Sequence, residues 1–208
     1  MKKTIFTFLF LFSGILFAQA ASPTLEFVCA RLSAHPNTRG DFVQTKTLQA
    51  NGRKLKSTGK YIICPQGIMW RTEKPVPSSL ILTKESMVQI SANGNKSVMN
   101  GSDNQIFSNI SDTLSSVFSG DAAALKKNFK CEFEMKKSGE WLITLTPKDS
   151  TISSVMKKLE LSGTTEPETA MTSLVMTEAS DNTITYEFLN QNYPKELSAD
   201  EKQLFIVE

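Results

Sequence analysis

Two hydrophobic periods divide the chain into segments. In residues 22–34, Leu25, Val28, Cys29 and Leu32 fall on one stripe at helical spacing. Ser22 is placed to cap this helix, Pro23 suits its first turn, and His35-Pro36 ends it. The period then becomes two. Residues 41–48, with Phe42 on one face, and 54–64, where Tyr61 and Ile63 alternate with Lys60 and Ile62, predict strands about a turn at Gly52. Pro65-Gln66-Gly67 turns the chain into a third strand over 68–73. Short strands follow at 80–82, 87–90 and 97–99, the last after the hairpin signal Asn93-Gly94-Asn95.

Residues 103–128 break the rhythm. Ile106, Phe107, Ile110, Leu114, Val117 and Phe118 recur at helical spacing, and Asp121 is placed to cap a second helix running to Asn128. Alternation returns at 129–136 and 141–146, then at 155–161, 172–178 and 184–188, and residues 204–207 close the chain as a strand. The order is one helix, about six strands, a helical insert and about five strands. Tight turns between consecutive strands imply an antiparallel meander. The predicted fold class is mainly β (α+β): an incomplete, curled antiparallel barrel of about 11 strands, with helices as a lid over an apolar cavity.

The first 20 residues stand apart from this pattern. They hold two lysines, an uncharged apolar run and Ala18-Gln19-Ala20, which reads as an export signal cleaved after Ala20. The expected mature domain is residues 21–208, in the periplasm, and it carries 21 Lys+Arg against 21 Asp+Glu. The formal +2 charge of the whole chain therefore belongs to the signal. A neutral domain with no basic block offers no footprint for nucleic acid.

Enzymatic motifs are nearly absent. His35 is the single histidine and reads as an exposed turn residue. No G-x-S-x-G, G-x-G-x-x-G, phosphate-binding P-loop or H-E-x-x-H sequence occurs. Glu132 and Glu134 alternate onto a solvated strand face. No catalytic residue, cofactor or metal site is expected. Cys29, Cys64 and Cys131 fit no zinc spacing, and in an oxidising compartment one disulfide plus one free thiol is expected, with three pairings open. The apolar inventory is the informative part. Met87, Met135 and Met176 sit at strand positions beside large aromatics, a soft lining suited to a variable greasy ligand.

The order of short motifs resembles the LolA family of periplasmic lipoprotein carriers. The carrying residues are Gly40 to Gln44, Ser57 to Tyr61, Pro65, Gly67, Trp70-Arg71 and Pro75. Leu145 to Asp149, Thr183 to Phe188 and Asn192 follow in order, in the manner of a divergent branch. The resemblance implies a barrel-and-lid cavity that holds the acyl chains of lipoproteins. It also implies a donor, an inner-membrane transporter complex, and an outer-membrane acceptor, with the carrier acting as a monomer. The expected cavity and lid residues are Tyr61, Ile63, Trp70, Leu82, Met87, Ile90, Phe107, Ile110, Leu114, Phe118, Phe133, Trp141, Ile143, Met176 and Tyr186. One position departs from the family. Where it keeps an Arg that latches the lid, directly before the turn proline, this chain has Cys64. The expectation that follows is a Cys64–Cys29 disulfide in place of that latch, with Cys131 as a buried free thiol. The same departure favours a second reading, a carrier for another lipid or acyl product such as a glycolipid or polyene. A third is a non-transport module that senses lipoproteins.

Overall fold

The structure, a computed structural model, describes residues 23–100 and 115–206. The described residues hold eleven strands: β1 (Thr38–Thr47), β2 (Lys54–Cys64), β3 (Gly67–Lys74), β4 (Ser78–Thr83), β5 (Ser86–Ile90), β6 (Lys96–Asn100), β7 (Phe129–Met135), β8 (Glu140–Pro147), β9 (Met156–Thr164), β10 (Ala170–Glu178) and β11 (Thr183–Asn192). The helices are α1 (Leu25–Ser33), α2 (residues 115–119), α3 (Ala122–Asn128), α4 (Ser150–Ser153) and α5 (Ala199–Gln203). All strands join one antiparallel sheet in the order β6-β5-β4-β3-β2-β1-β11-β10-β9-β8-β7. Each half of the chain is a simple meander, and the halves are joined by β1 pairing with β11, Phe42 opposite Phe188. The free edges are thus β6 and β7, which the helical insert connects, and the sheet is a half-open barrel.

Alternation sorts the strand residues onto two faces. The inner face carries Phe42, Tyr61, Trp141, Ile143, Leu145, Leu159, Leu161, Leu174 and Phe188, which pack in one cluster with Leu25, Val28 and Cys29 of α1, Val117 of α2 and Leu125 of α3. The outer face carries a smaller cluster: Ile62, Cys64, Met69, Ile81 and Val88. It is covered by Leu197 and Phe205, which flank α5 in the C-terminal segment.

Several expectations are corrected. Residues 204–206 form no strand, because the chain enters α5 through a reciprocal cap between Ser198 and Glu201. The first helix starts at Leu25, where Thr24 Oγ1 accepts the N–H of Phe27 at 3.3 Å. His35 is not a free turn residue: its Nε2 lies 3.1 Å from Glu168 Oε1 and its ring stacks on Tyr193 at 4.2 Å. The Cys29–Cys64 bond is not formed, and all three cysteines are free thiols. Cys29 packs in the inner cluster and Cys64 in the outer one, since Ile63 already takes the inward position at that end of β2. Cys131 is half-buried.

Tight curling needs places where a side chain is absent. At Gly163 on the inner face, a Cβ would collide with the Ala170 carbonyl oxygen and the Trp141 ring. Trp141 lies over this strand and donates its Nε1–H to Thr164 O at 3.0 Å. A Gly163→Ala substitution is expected to cost about 2–3 kcal/mol, measured by urea denaturation. A cost within error of zero would show that Trp141 moves aside freely.

Two carboxylates link folding to pH. Lys46 and Asn182 hold the Glu178 carboxyl below the usual carboxylate range, with Lys46 Nζ 2.7 Å from Glu178 Oε1. The Ser198 backbone N–H and Arg39 do the same for Glu201, Arg39 Nη1 lying 2.7 Å from Oε1. A carboxyl whose folded value is depressed stabilises the fold above the ordinary carboxylate range, and the gain is lost as pH falls through the folded value. Stability is expected to fall between about pH 5 and pH 3, with Glu178→Gln and Glu201→Gln each removing part of that slope. Variants with an unchanged slope in urea melts across this range would refute the assignment.

Candidate functional site

The inner face is built from rows of facing residues. One row runs Phe133, Ile143, Leu161, Leu174 and Tyr186 across β7 to β11. Another runs Tyr61, Trp70 and Leu80 across β2 to β4, and a third joins Ile63, Ile68, Leu82 and Met87. The rows meet at Trp70, whose ring centroid lies 4.9 Å from Phe42, 5.0 Å from Tyr186, 5.6 Å from Tyr61, 6.0 Å from Phe188 and 6.1 Å from Phe118. Such pairs each contribute about 0.5–1.5 kcal/mol beyond area burial. Trp70 Nε1 is buried with no acceptor among the described residues. Burial pushes the Tyr186 phenol up to about 12, so it stays neutral in this apolar surrounding.

The lid is α1 with α2 and α3. Gly120, between α2 and α3 at φ 66°, brings its backbone against α1, where a Cβ would lie 2.6 Å from Cys29 O. Lys126 of α3 bonds Glu26 of α1 and holds its carboxyl down to about 2. Polar contacts fasten α1 to the β9–β10 loop. Arg31 Nε donates to Thr169 Oγ1 at 2.8 Å, Thr169 is buried, and the His35–Glu168 contact lies beside it.

Open space lies at one end of this arrangement. A cleft of about 600 Å³ is bordered by the end of α1, the β2–β3 and β4–β5 turns, α2 and α3, with Ile63, Ile68, Pro65 and Phe118 supplying apolar surface. A void of about 40 Å³, room for about one water, continues inward to Tyr61, Met171 and Phe188. Ile63, Phe118 and His35 line both spaces and so stand between them. Aromatic rings pack across the barrel interior, and the cleft opens at its mouth.

The predicted site residues divide as follows. Tyr61, Ile63, Trp70, Phe118, Phe133, Trp141, Ile143, Met176 and Tyr186 all belong to the inner cluster. Leu82 is buried with Ile68 beside it, and Met87 packs against that pair, as do Ile63, Trp70 and Phe118. Ile90 is on the outer face with Val88, because three residues from Met87 along a strand reverses the side. Phe107, Ile110 and Leu114 lie outside the described residues. Phe188, Phe42, Leu174, Met171 and Leu32 were not anticipated as site residues. Phe188 could have been found, since it shares its strand face with Tyr186. Among the described residues, no group of three His, Cys, Asp or Glu side chains could hold a metal, and no helix is long and apolar enough to cross a membrane.

No curated protein matches the chain. A LolA superfamily protein from Nitrosomonas europaea shares 8% identity over 89% of this chain and 99% of its own, at a TM-score of 0.49. Lipoprotein LppX of Mycobacterium tuberculosis shares 11% over 86% and 100%, at 0.46. A DUF1329 family protein from Desulfovibrio piger ATCC 29098 shares 10% over 84% and 92%, at 0.47. These likenesses are of shape alone. The decisive match is to the family described as outer membrane lipoprotein carrier protein LolA, whose model covers residues 36–204, and the chain belongs to that family.

Proposed function

We propose that this protein is an exported periplasmic carrier that takes up acyl chains of lipoproteins and moves them from a donor at the inner membrane to an acceptor at the outer membrane. The observation that carries the reading is an open cleft separated only by Ile63, Phe118 and His35 from a small void at Phe188, on the margin of an apolar inner cluster that holds Trp70 and Tyr186 beneath the helices. Family membership supports it. No reactive group is required. Each buried CH₂ contributes about 0.8 kcal/mol, so an acyl chain offers enough free energy to displace packed rings and move a lid. Trp70 Nε1 adds one polar donor to the interior, suited to an acyl ester carbonyl.

A second cargo class, another lipid or acyl product, is favoured by one observation. Cys64 occupies the place of the latch Arg and packs on the outer face, away from the lid helix α1. In this chain, Arg31 of α1 and His35 just beyond it make polar ties to the β9–β10 loop.

Mature protein recovered from an exporting host is expected to carry acyl ligand detectable by native mass spectrometry. A fluorescent fatty-acyl probe should bind saturably. Ile63→Trp, which narrows the step between cleft and void, should weaken the probe at least tenfold while circular dichroism stays unchanged. Absence of both ligand and probe binding would overturn the carrier reading.

A further inference from the structure

We propose that the cleft at the mouth is a headgroup site that selects amphiphiles with an anionic headgroup, phosphate or carboxylate, on a single acyl chain or more. The inference rests on the carrier reading and specifies what that carrier prefers.

The cleft is two-sided in its chemistry. Ile63, Ile68, Pro65 and Phe118 give the surface that leads inward. Lys84 from the β4–β5 turn and Lys127 from the end of α3 reach the same space from two separate elements. Both are exposed, so their ammonium groups remain hydrated. Ion pairs among the described residues engage Lys46, Lys60, Lys126, Lys130, Lys136, Lys157, Lys158 and Lys202. Neither Lys84 nor Lys127 belongs to any of them. Asp121 is the one carboxylate among the described lining residues, and its Oδ1 already accepts the N–H groups of Ala123 and Ala124. His35 at the inner border faces Glu168. Glu85 follows Lys84 in sequence but does not line the cleft.

The mouth therefore presents two cations with no ion-pair partner among the described residues, beside the apolar path. A chain threaded past Ile63 and Phe118 leaves its headgroup in the cleft, where an anion meets both lysines and a neutral headgroup meets neither. The attraction acts across water and is modest and screened by salt.

The test compares single-chain lipids of one acyl length below their micelle concentration: lysophosphatidylglycerol, which is anionic, lysophosphatidylcholine, which is zwitterionic, and a neutral monoacylglycerol. Binding is read by titration calorimetry at low salt and at about 0.5 M NaCl. The anionic probe should bind about 3- to 10-fold tighter than the neutral one at low salt. That preference should vanish at high salt and in the Lys84→Glu/Lys127→Glu variant, whose affinity for the neutral probe stays at the wild-type value. Inorganic phosphate alone should not displace the anionic probe. Equal affinity for anionic and neutral probes, or a preference that survives charge reversal, overturns the headgroup site while leaving the carrier reading intact. Displacement by phosphate alone makes this a free-anion site and also overturns it. Failure of every acyl probe, whatever its charge, overturns both.

Discussion

The pairing of β1 with β11 is the constraint on which the rest of the molecule depends. It joins two meanders at their outer ends, Phe42 against Phe188, and so places the first and last strands in the middle of the sheet. The unpaired edges then fall at β6 and β7, in mid-chain. The segment between them must cross from one edge to the other. Closing the sheet by hydrogen bonds would have left a sealed barrel. Connecting its edges through helices instead leaves an opening whose cover can shift without breaking a strand ladder.

That separation of roles shows in the kinds of contact used. The barrel wall is held by ladders and by aromatic packing around Trp70. The lid rests on apolar side chains, is fastened at its margin by Arg31 to Thr169 and His35 to Glu168, and is tied within itself by Lys126 to Glu26. An exposed pair such as Lys126–Glu26 contributes little individually. The interior is closed by surfaces that prefer apolar contact but do not demand one partner. On the proposed carrier reading, acyl chains would replace the lid against the same rings, because both offer methylene and methyl groups to aromatic faces.

Much of the fold was legible because alternation reports burial. The strand at 54–64 was read with its observed boundaries, and Asp121 caps α3 as its position implied. The inward placement of Tyr61, Ile63, Trp141 and Ile143 follows from period two alone. The errors also have local causes. Met87 and Ile90 were assigned to one face although three residues apart, and Cys64 was turned inward although it adjoins the inward Ile63. The C-terminal helix was missed in spite of the Ser198 to Glu201 spacing, because the apolar run after it dominated the reading. The lid fastening was beyond reach. Arg31 and Thr169 are 138 residues apart, and no local pattern marks their meeting. The cleft lysines were likewise invisible, since only the fold brings Lys84 and Lys127 to one space.

The central claim is that acyl chains enter the ring-lined interior and do not merely adhere to the exterior. Tryptophan fluorescence quenching by fatty acids brominated at successive chain carbons tests this directly, since both tryptophans, Trp70 and Trp141, belong to the inner cluster. The account predicts saturable quenching that is strongest for bromines far from the carboxyl end. Binding without quenching, or quenching independent of bromine position, would contradict it.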